Sequence, residues 1–448
     1  VYDGGESDVY TPQLCLDLEG PLDGEELRAA CTALLARHAN LRAAFLHDVT
    51  DTPVQVIARD PALPWRTADL SGLPDTEQAA QSDRIADTEL AERFDPARPP
   101  LLRAALLRLG DKRHRLILTH HHILLDGWSV PLLARDLFAL YAAGGQAVAL
   151  PRVTPYGDYL RWLAAQDRDE AHAAWTRALD GVDEPTLVAP AAPDRTVSAA
   201  RPGRVQPALP EGLDTRLVTW ARSRGLTVNT VLQGAWALLL SRLTGRDDVV
   251  FGTTVSGRPP EVPGIETMAG LFINTLPVRV RLDQDRTLEE LLRALQGEQA
   301  ELMDHQYLGL SDIHRLAGLP HLFDSAMVYE NYPVDEKATA LTGTPLTLTR
   351  AETREAAHYR LMLMAAPHAR GLSLRIEYAP AAFGDEEVRV LADRFVRVLR
   401  AFVDEPHRTA GTVEVLTAEE RRRILVDWND VDADSVRPAT SVVEAFAA

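Results

Sequence analysis

Three adjacent histidines, His120, His121 and His122, stand at the end of an apolar run and are followed, after Ile123, Leu124 and Leu125, by Asp126, Gly127, Trp128 and Ser129. A neutral imidazole open to substrate is the natural side chain for taking a proton from an attacking amine near neutral pH. In an extended strand successive side chains alternate between faces, so His120 and His122 are expected on one face and His121 on the other. His121 then reads as a hydrogen-bonded core histidine and His122 as the candidate base. Asp126 falls at a strand-to-helix turn, where Gly127 gives the backbone freedom to bend sharply. A zinc site is a competing reading, but adjacent histidines splay apart and no third ligand follows at a standard spacing. A chance polyhistidine fits poorly between two apolar stretches.

A protein nucleophile is harder to place. No GxSxG elbow surrounds any serine, and the two cysteines, Cys15 and Cys31, lie in apolar surroundings far from the histidines in sequence. Direct transfer between two bound substrates is therefore favoured over a covalent acyl-enzyme. Ser129 reads as a helix cap rather than a nucleophile, and no Gly-rich phosphate cradle or nucleotide fingerprint occurs. Nothing here requires a metal or an intrinsic cofactor.

The elements that must position these groups follow from periodicity and punctuation. Residues 13–18 predict a strand and 25–37 a helix, with a turn at Leu22, Asp23 and Gly24 between them. Strands are expected over 101–109 and 115–125, about the polar turn at Gly110, Asp111 and Lys112. A helix follows from Ser129 to about residue 141, with Pro131 tolerated in its first turn, and another is expected over 156–179. Residues 181–203, rich in Pro, Ala and Arg with no apolar period, read as a crossover between two halves. Beyond it the pattern predicts helices over 211–224 and 228–243, a strand over 247–255, and a helix over 288–302 capped by Thr287. Strands near 322–329 and 372–378 and a long helix over 385–403 complete it. Strands mixed with helices of this length imply an α/β fold of two lobes, 1–180 and 204–415, and leave 416–448 outside them.

Composition narrows the function classes. A chain of 448 residues that is 46% hydrophobic exceeds one ordinary core and is globular. Its net charge of −18 is spread along the chain, which argues against a nucleic-acid backbone as partner and fits plain solubility. With only two cysteines there is no disulfide framework. No signal peptide is recognisable and no run reaches the roughly 18 apolar residues of a membrane span, so a cytoplasmic protein is expected. The opening Val1 and the apolar close VVEAFAA read as a piece of a longer chain.

The stretch from His121 to Gly127 resembles the HHxxxDG motif of condensation domains of nonribosomal peptide synthetases, relatives of chloramphenicol acetyltransferase and the carnitine acyltransferases. Further resemblances follow in order: Arg37 to Phe45 is similar to RHxxLRxxF, Tyr156 to Trp162 to YxDYxxW, and Gly270 to Arg279 to GxFxNTxxxR. His305, Gln306 and Tyr307, then Leu322, Phe323 and Asp324, resemble two weaker distal motifs. The resemblance implies two chloramphenicol-acetyltransferase-like lobes arranged in a V, with a central tunnel that donor and acceptor phosphopantetheine arms enter from opposite sides. It makes His122 catalytic, as base toward the amine or as the group that positions it and stabilises the tetrahedral intermediate. His121 and Asp126 become structural, and Gly127 a candidate N–H donor to the oxyanion. A buried carboxylate at position 126 needs a cationic partner. By motif position Arg42 is the first choice and Arg279 the second.

The implied reaction joins a donor aminoacyl or peptidyl thioester to the amine of an acceptor thioester. Partners would be an upstream donor carrier protein, a downstream acceptor carrier protein and an adenylation domain, since the segment from Leu416 to Asn429 resembles the linker that leads into one. The family's opening motif is missing ahead of Val1, and His120 stands where Met or Asn is usual. Residues 8–10, 123–133 and 329–333 resemble the subtype that takes a D-configured donor and an L acceptor. Three rivals are an epimerisation domain, whose glutamate-bearing motif is not found, a coenzyme A-dependent acyltransferase, which needs basic residues at a nucleotide entrance, and an inactive condensation-like domain that recruits other proteins.

Overall fold

The computed structural model describes residues 9–47, 53–146, 150–189, 201–330, 341, 343–356, 358–368 and 371–429. Asp8 and residues 331–333 of the donor-subtype resemblance lie outside them, as do residues 190–200 of the expected crossover and 430–448 of the expected linker. Two sheets carry the fold. The strands are β1 (Gln13–Glu19), β2 (Ala43–Leu46), β3 (Val54–Ile57), β4 (Trp65–Asp69), β5 (Leu102–Arg108), β6 (Arg113–His120), β7 (Gly203–Val205), β8 (Asp248–Val255), β9 (Asn274–Arg281), β10 (Ser325–Tyr329), β11 (Thr347–Arg354), β12 (Leu361–His368) and β13 (Gly371–Tyr378). The first sheet runs β11-β1-β6-β5-β4 and the second β7-β13-β12-β10-β8-β9, with β2 and β3 as a separate hairpin.

Helices α1 (Gly24–Arg37), α2 (Asp75–Ala91) and α3 (Ser129–Ala142) cover the first sheet. Leu27, Leu34, Leu133 and Leu137 on α1 and α3 meet Leu16, Leu106 and Leu116 in one core, while Ala86 of α2 packs with Ile117 and Leu107 on the other face. Alternation along β6 sends Leu116 and Ile117 to these opposite cores. The α1–α3 contact is pinned by Arg37 and His38, which reach Asp136 at 2.8 and 3.0 Å. Burial alone would raise the Asp136 carboxyl, but hydrogen bonds from His38, Arg37 and Arg135 outweigh it and hold it well below the usual range. The first two residues of the Arg37–Phe45 motif thus brace two helices.

The helix expected over 156–179 is two, α4 (Tyr156–Ala164) and α5 (Arg168–Ala178), because the Asp167 carboxylate accepts from the Asp169 and Glu170 N–H groups and starts a new helix. In the second half, α6 (Leu213–Ser223), α7 (Val228–Thr244), α8 (Leu288–Glu301) and α10 (Asp385–Asp404) pack on the second sheet, and the short α9 (Leu310–Leu316) lies with α5 on its other face. α7 is buried on every side from Thr230 to Ser241, which its near-continuous apolar sequence requires. Thr287 and Glu290 cap α8 reciprocally. No helix among the described residues is long and apolar enough to cross a membrane.

One strand departs from the expected division of the chain. β11 lies within the stretch 204–415, yet it pairs antiparallel with β1 at the edge of the first sheet, Gln13 opposite Arg354. Because Gln13 also faces Thr119 on β6, residues 354, 13 and 119 form one row across three strands. Just past that row Glu355 leaves the sheet, at the end where His120 closes β6.

Candidate active site

The expected strand over 115–125 stops at His120. Beyond it the His121 N–H donates to Leu101 O (3.0 Å) and the His122 N–H to Tyr10 O (2.7 Å), and then the Leu124 and Leu125 N–H groups fold back onto the carbonyls of His121 and His122. The strand thus ends before His122, and this turn rather than strand alternation sets where its side chain lies. His120 is buried against an apolar cavity of about 50 Å³ lined by Leu16, Leu118, Leu125 and Leu133. Burial there lowers its pKa to about 3, with the neighbouring His122 charge adding to the effect. His121 is also buried; its Nδ1 accepts from the Ile123 N–H at 3.1 Å and its ring stacks on Tyr10. His122 alone of the three keeps a partly open side chain, 18% exposed.

The His122 ring is oriented at both ends. Its Nδ1 lies 2.8 Å from Leu125 O, and since a carbonyl only accepts, Nδ1 carries the proton. Nε2 then points outward, 3.3 Å from an oxygen of Glu355. Glu355 follows β11, and the register of the sheet delivers it to this spot. Burial works against a charged His122, but the hydrogen bond and charge of Glu355 outweigh it and raise the pKa of the ring. Burial likewise would raise the Glu355 carboxyl; the hydrogen bond and charge of His122, with His358 nearby, overcome it and hold the group well below the usual carboxylate range. His358 stands 3.7 Å from Glu355, its ring edge-on to His122.

Asp126 sits in a different setting. Its carboxylate accepts from the Ser129 N–H (2.9 Å), the Ser129 hydroxyl (2.7 Å) and the Phe272 N–H (3.1 Å), and lies 3.3 Å from the Arg258 guanidinium. Both side chains are buried, at 0% and 3% exposure. Arg258 also donates to the carbonyls of Ile265 and Met268, and its guanidinium stacks 4.0 Å from the centre of the Phe272 ring. The Asp126 N–H donates to Gly270 O, and Gly270 N–H to the Ser129 hydroxyl, so the histidine turn is sewn to residues 270–272 of the other half. Tyr156 closes the same seam by donating to Leu271 O at 2.6 Å and packing its ring on Phe272. A Cβ at position 270 would come within 2.3 Å of the Tyr156 ring, which accounts for glycine there. The histidine, Tyr156–Trp162 and Gly270–Arg279 motifs are therefore one physical unit.

Four expectations are corrected here. Arg42 is not the partner of Asp126: its guanidinium is engaged by the carbonyls of Leu35, Ala58 and Arg59, tying α1 to the hairpin. Nor is Arg279, which pairs with Asp248 on the neighbouring strand at 2.7 Å and with the carbonyls of Ala178 and Asp180. Ser129 does not cap α3; it begins the helix and bridges Asp126 to Gly270. Gly127 is exposed in the turn but is not among the glycines with a left-handed backbone, so the bend needs no special torsion there.

A family model described as "Condensation domain" matches residues 4–425. The chain belongs to the condensation-domain family. Among curated relatives this condensation domain is 37% identical over 431 residues to chondramide synthase cmdD of Chondromyces crocatus and 33% identical over 429 residues to bacitracin synthase 3 of Bacillus licheniformis. These matches take in 94% and 95% of this chain but only 11% and 7% of the relatives' lengths. Among solved structures it is similar to the X-domain from teicoplanin biosynthesis, with a TM-score of 0.77 and 26% identity over 92% of this chain and 94% of that one. It is likewise similar to the first condensation domain of the calcium-dependent antibiotic synthetase in complex with a substrate analogue, with a TM-score of 0.72, 25% identity and coverage of 92% and 95%. The fold is the chloramphenicol-acetyltransferase-like fold of these domains.

Sequence reasoning missed Arg258 and Glu355. Arg258 follows β8 in Ser256–Gly257–Arg258–Pro259, and Gly257, with φ of 59°, places it where a Cβ would stand 1.8 Å from Phe272 O. That lone arginine beside a glycine turn was the available signal. For Glu355 there was none, since β11 is a charged edge strand with no apolar alternation. One atom each of His122, Glu355 and His358 lies within 4.8 Å of the others, a spacing a divalent cation could use, and the third ligand that local spacing lacked comes from the far half. In the structure Glu355 is already paired with His122 at 3.3 Å.

Proposed function

We propose that this condensation domain forms an amide bond between a donor aminoacyl or peptidyl thioester and the amine of an acceptor aminoacyl thioester, both presented on carrier-protein phosphopantetheine arms within a nonribosomal peptide synthetase. The observation that carries the reading is His122, partly open and fixed by Leu125 O so that Nε2 faces outward from the HHxxxDG turn. His122 positions the amine and moves its proton, and the Gly127 N–H is the donor offered to the oxyanion. The thiols support direct transfer: both cysteines are buried, and burial pushes Cys31 up to about 12, leaving no thiolate to form an acyl-enzyme. Donor carrier, acceptor carrier and adenylation domain are the partners. Mixing the protein with loaded donor and acceptor carriers tests this by mass spectrometry of the released product. An amide in which the donor acyl group sits on the acceptor amine is expected; no amide, or acyl groups on the protein itself, overturns it.

The resemblance to domains taking a D donor carries one further step. A donor α-carbon of the wrong hand exchanges its side chain and nitrogen substituent, leaving a clash or an unpaired polar group worth roughly 1–3 kcal/mol. A donor ending in a D residue is therefore converted at least about tenfold faster than its L epimer, with an L acceptor. A single-turnover competition between epimeric donors checks it, and equal rates or L preference reject the subtype.

One observation favours a second reading. The similar X-domain also appears in a complex with a protein, OxyB, and recruitment is an alternative for this chain. Retention of His122, Asp126 and Gly127 supports catalysis instead. The acidic Glu355 beside His122 likewise invites epimerisation, but two bases acting on one α-carbon must stand on its opposite faces. Here they touch each other at 3.3 Å.

A further inference from the structure

The carboxylate of Glu355 is the unusual group at this site. Among the described residues its ion pairs are made to two histidines, His122 at 3.3 Å and His358 at 3.7 Å. His122, unlike the guanidinium that holds Asp126, can give up its charge. The three side chains are also reachable, at 36%, 18% and 26% exposure for Glu355, His122 and His358. With Nδ1 already donating to Leu125 O, Nε2 can meet a carboxylate only by carrying a second proton. In this arrangement His122 is an imidazolium and has no lone pair with which to act as base.

What restores the base must be another cation with N–H donors, small enough to reach Glu355 beside the ring. We propose that Glu355 is the docking carboxylate for the α-ammonium group of the acceptor, which takes the place of the His122 imidazolium on it. This inference rests on the amide-forming function proposed above. The ammonium settles on Glu355, and the Nε2 proton of His122 passes to solvent, exposing the lone pair. The ammonium then transfers one proton to Nε2. The amine lone pair forms the C–N bond to the thioester carbon, the adduct loses a second proton to solvent, and the C–S bond breaks. The thiolate leaves with the proton held by His122. Of the three ammonium protons, one remains on the amide, one reaches the thiol and one goes to solvent; after product release Nε2 is reprotonated and rejoins Glu355.

The test uses two acceptor analogues with an amide in place of the thioester, L-alanyl pantetheine amide and propionyl pantetheine amide, which differ by the ammonium group, and measures their dissociation constants by calorimetry with no donor present, since the alanyl amine would otherwise be acylated. The wild-type protein should bind the alanyl compound at least roughly tenfold more tightly, as a charge-assisted hydrogen bond implies. Glu355→Gln keeps the shape and should abolish that preference while leaving the donor KM unchanged, and Glu355→Asp should restore part of it. A merely structural role would weaken both analogues together. Absence of preference in the wild type, or its survival in E355Q at an unchanged melting temperature, overturns the assignment. A wild-type protein that makes no amide from two loaded carriers would instead defeat the functional reading, so the two failures are told apart.

Discussion

Two carboxylates lie at the seam between the halves, and they are held in opposite ways. Asp126 is closed off from water, faces a guanidinium that never loses its charge, and accepts from two backbone N–H groups and a hydroxyl. Glu355 is about a third exposed and leans chiefly on the His122 imidazole, whose charge depends on pH and on what else approaches. The first arrangement fixes geometry, because removing either partner strands a buried charge. The second permits exchange. A site that must place a histidine accurately and yet change its proton inventory in each turnover uses one carboxylate of each kind.

The sharpest way to break this contrast is at the ring they share. His122→Ala should lower amide formation by roughly 10²–10⁴-fold with little change in melting temperature. His121→Ala, which removes the acceptor for the Ile123 N–H and a buried ring that stacks on Tyr10, should act through folding. Turnover measured beside a melting curve checks both, and a fast H122A variant would remove His122 from the chemistry.

The fixed carboxylate comes next. Asp126→Ala and Arg258→Ala should each cost about 3–5 kcal/mol, and the double variant clearly less than the sum of the two. Urea unfolding of all four proteins measures the coupling. Arg42→Ala should add independently to D126A, and coupling between those two would reverse the assignment of Arg258.

Acidity separates the exchangeable pair from its buried neighbour. His122 has a raised pKa in the folded protein, so its pairing stabilises fully below its ordinary value of 6.5 and is lost as pH rises through the folded value. Glu355 has a lowered one, so its contribution is present above the usual 4.5 and is lost only as pH falls through the folded value. His120 behaves otherwise: buried neutral, with a pKa of about 3, it costs stability progressively as pH drops below 6.5. At its limit this amounts to a few kcal/mol, up to about 5. Melting temperatures between pH 7 and 4.5 should fall, and should fall less in His120→Met. In Glu355→Gln the pKa of His122, followed by NMR, should drop. An unmoved His122 resonance would show that the two are not coupled.

The smallest effect expected is none. Because Glu355 is already paired with His122, amide formation should survive exhaustive chelation, and loaded carriers should need no ATP. Stoichiometric zinc, lost together with activity, would turn the exchangeable pair into a ligand set.

Elements with a strong local period were legible in the sequence. α7, α8, α10 and β8 lie within a residue or two of their expected bounds, since each packs an apolar face that its own sequence declares. α2 and β11 were not, being largely polar on the outside and defined by partners elsewhere. The site divided in the same way. His122 and Asp126 were found because the turn that joins them is local; Arg258 and Glu355 were not, because a pairing between β1 and β11 and a loop after β8 bring them in. Arg42 drew attention by lying in a motif, but a motif position says nothing of which carbonyls a guanidinium will meet.

The exchange of β11 into the first sheet also sets an order of events on the ribosome. Until Thr347–Arg354 has been synthesised, β1 has an open edge, and Glu355 does not yet exist to meet His122. The first lobe is thus completed by a segment made long after its own helices. For chimaeras that recombine lobes from different synthetases, the natural cut is not a single point in the linear chain. Residues 347–358 must travel with the amino-terminal lobe they complete, or the histidine arrives without its counterpart.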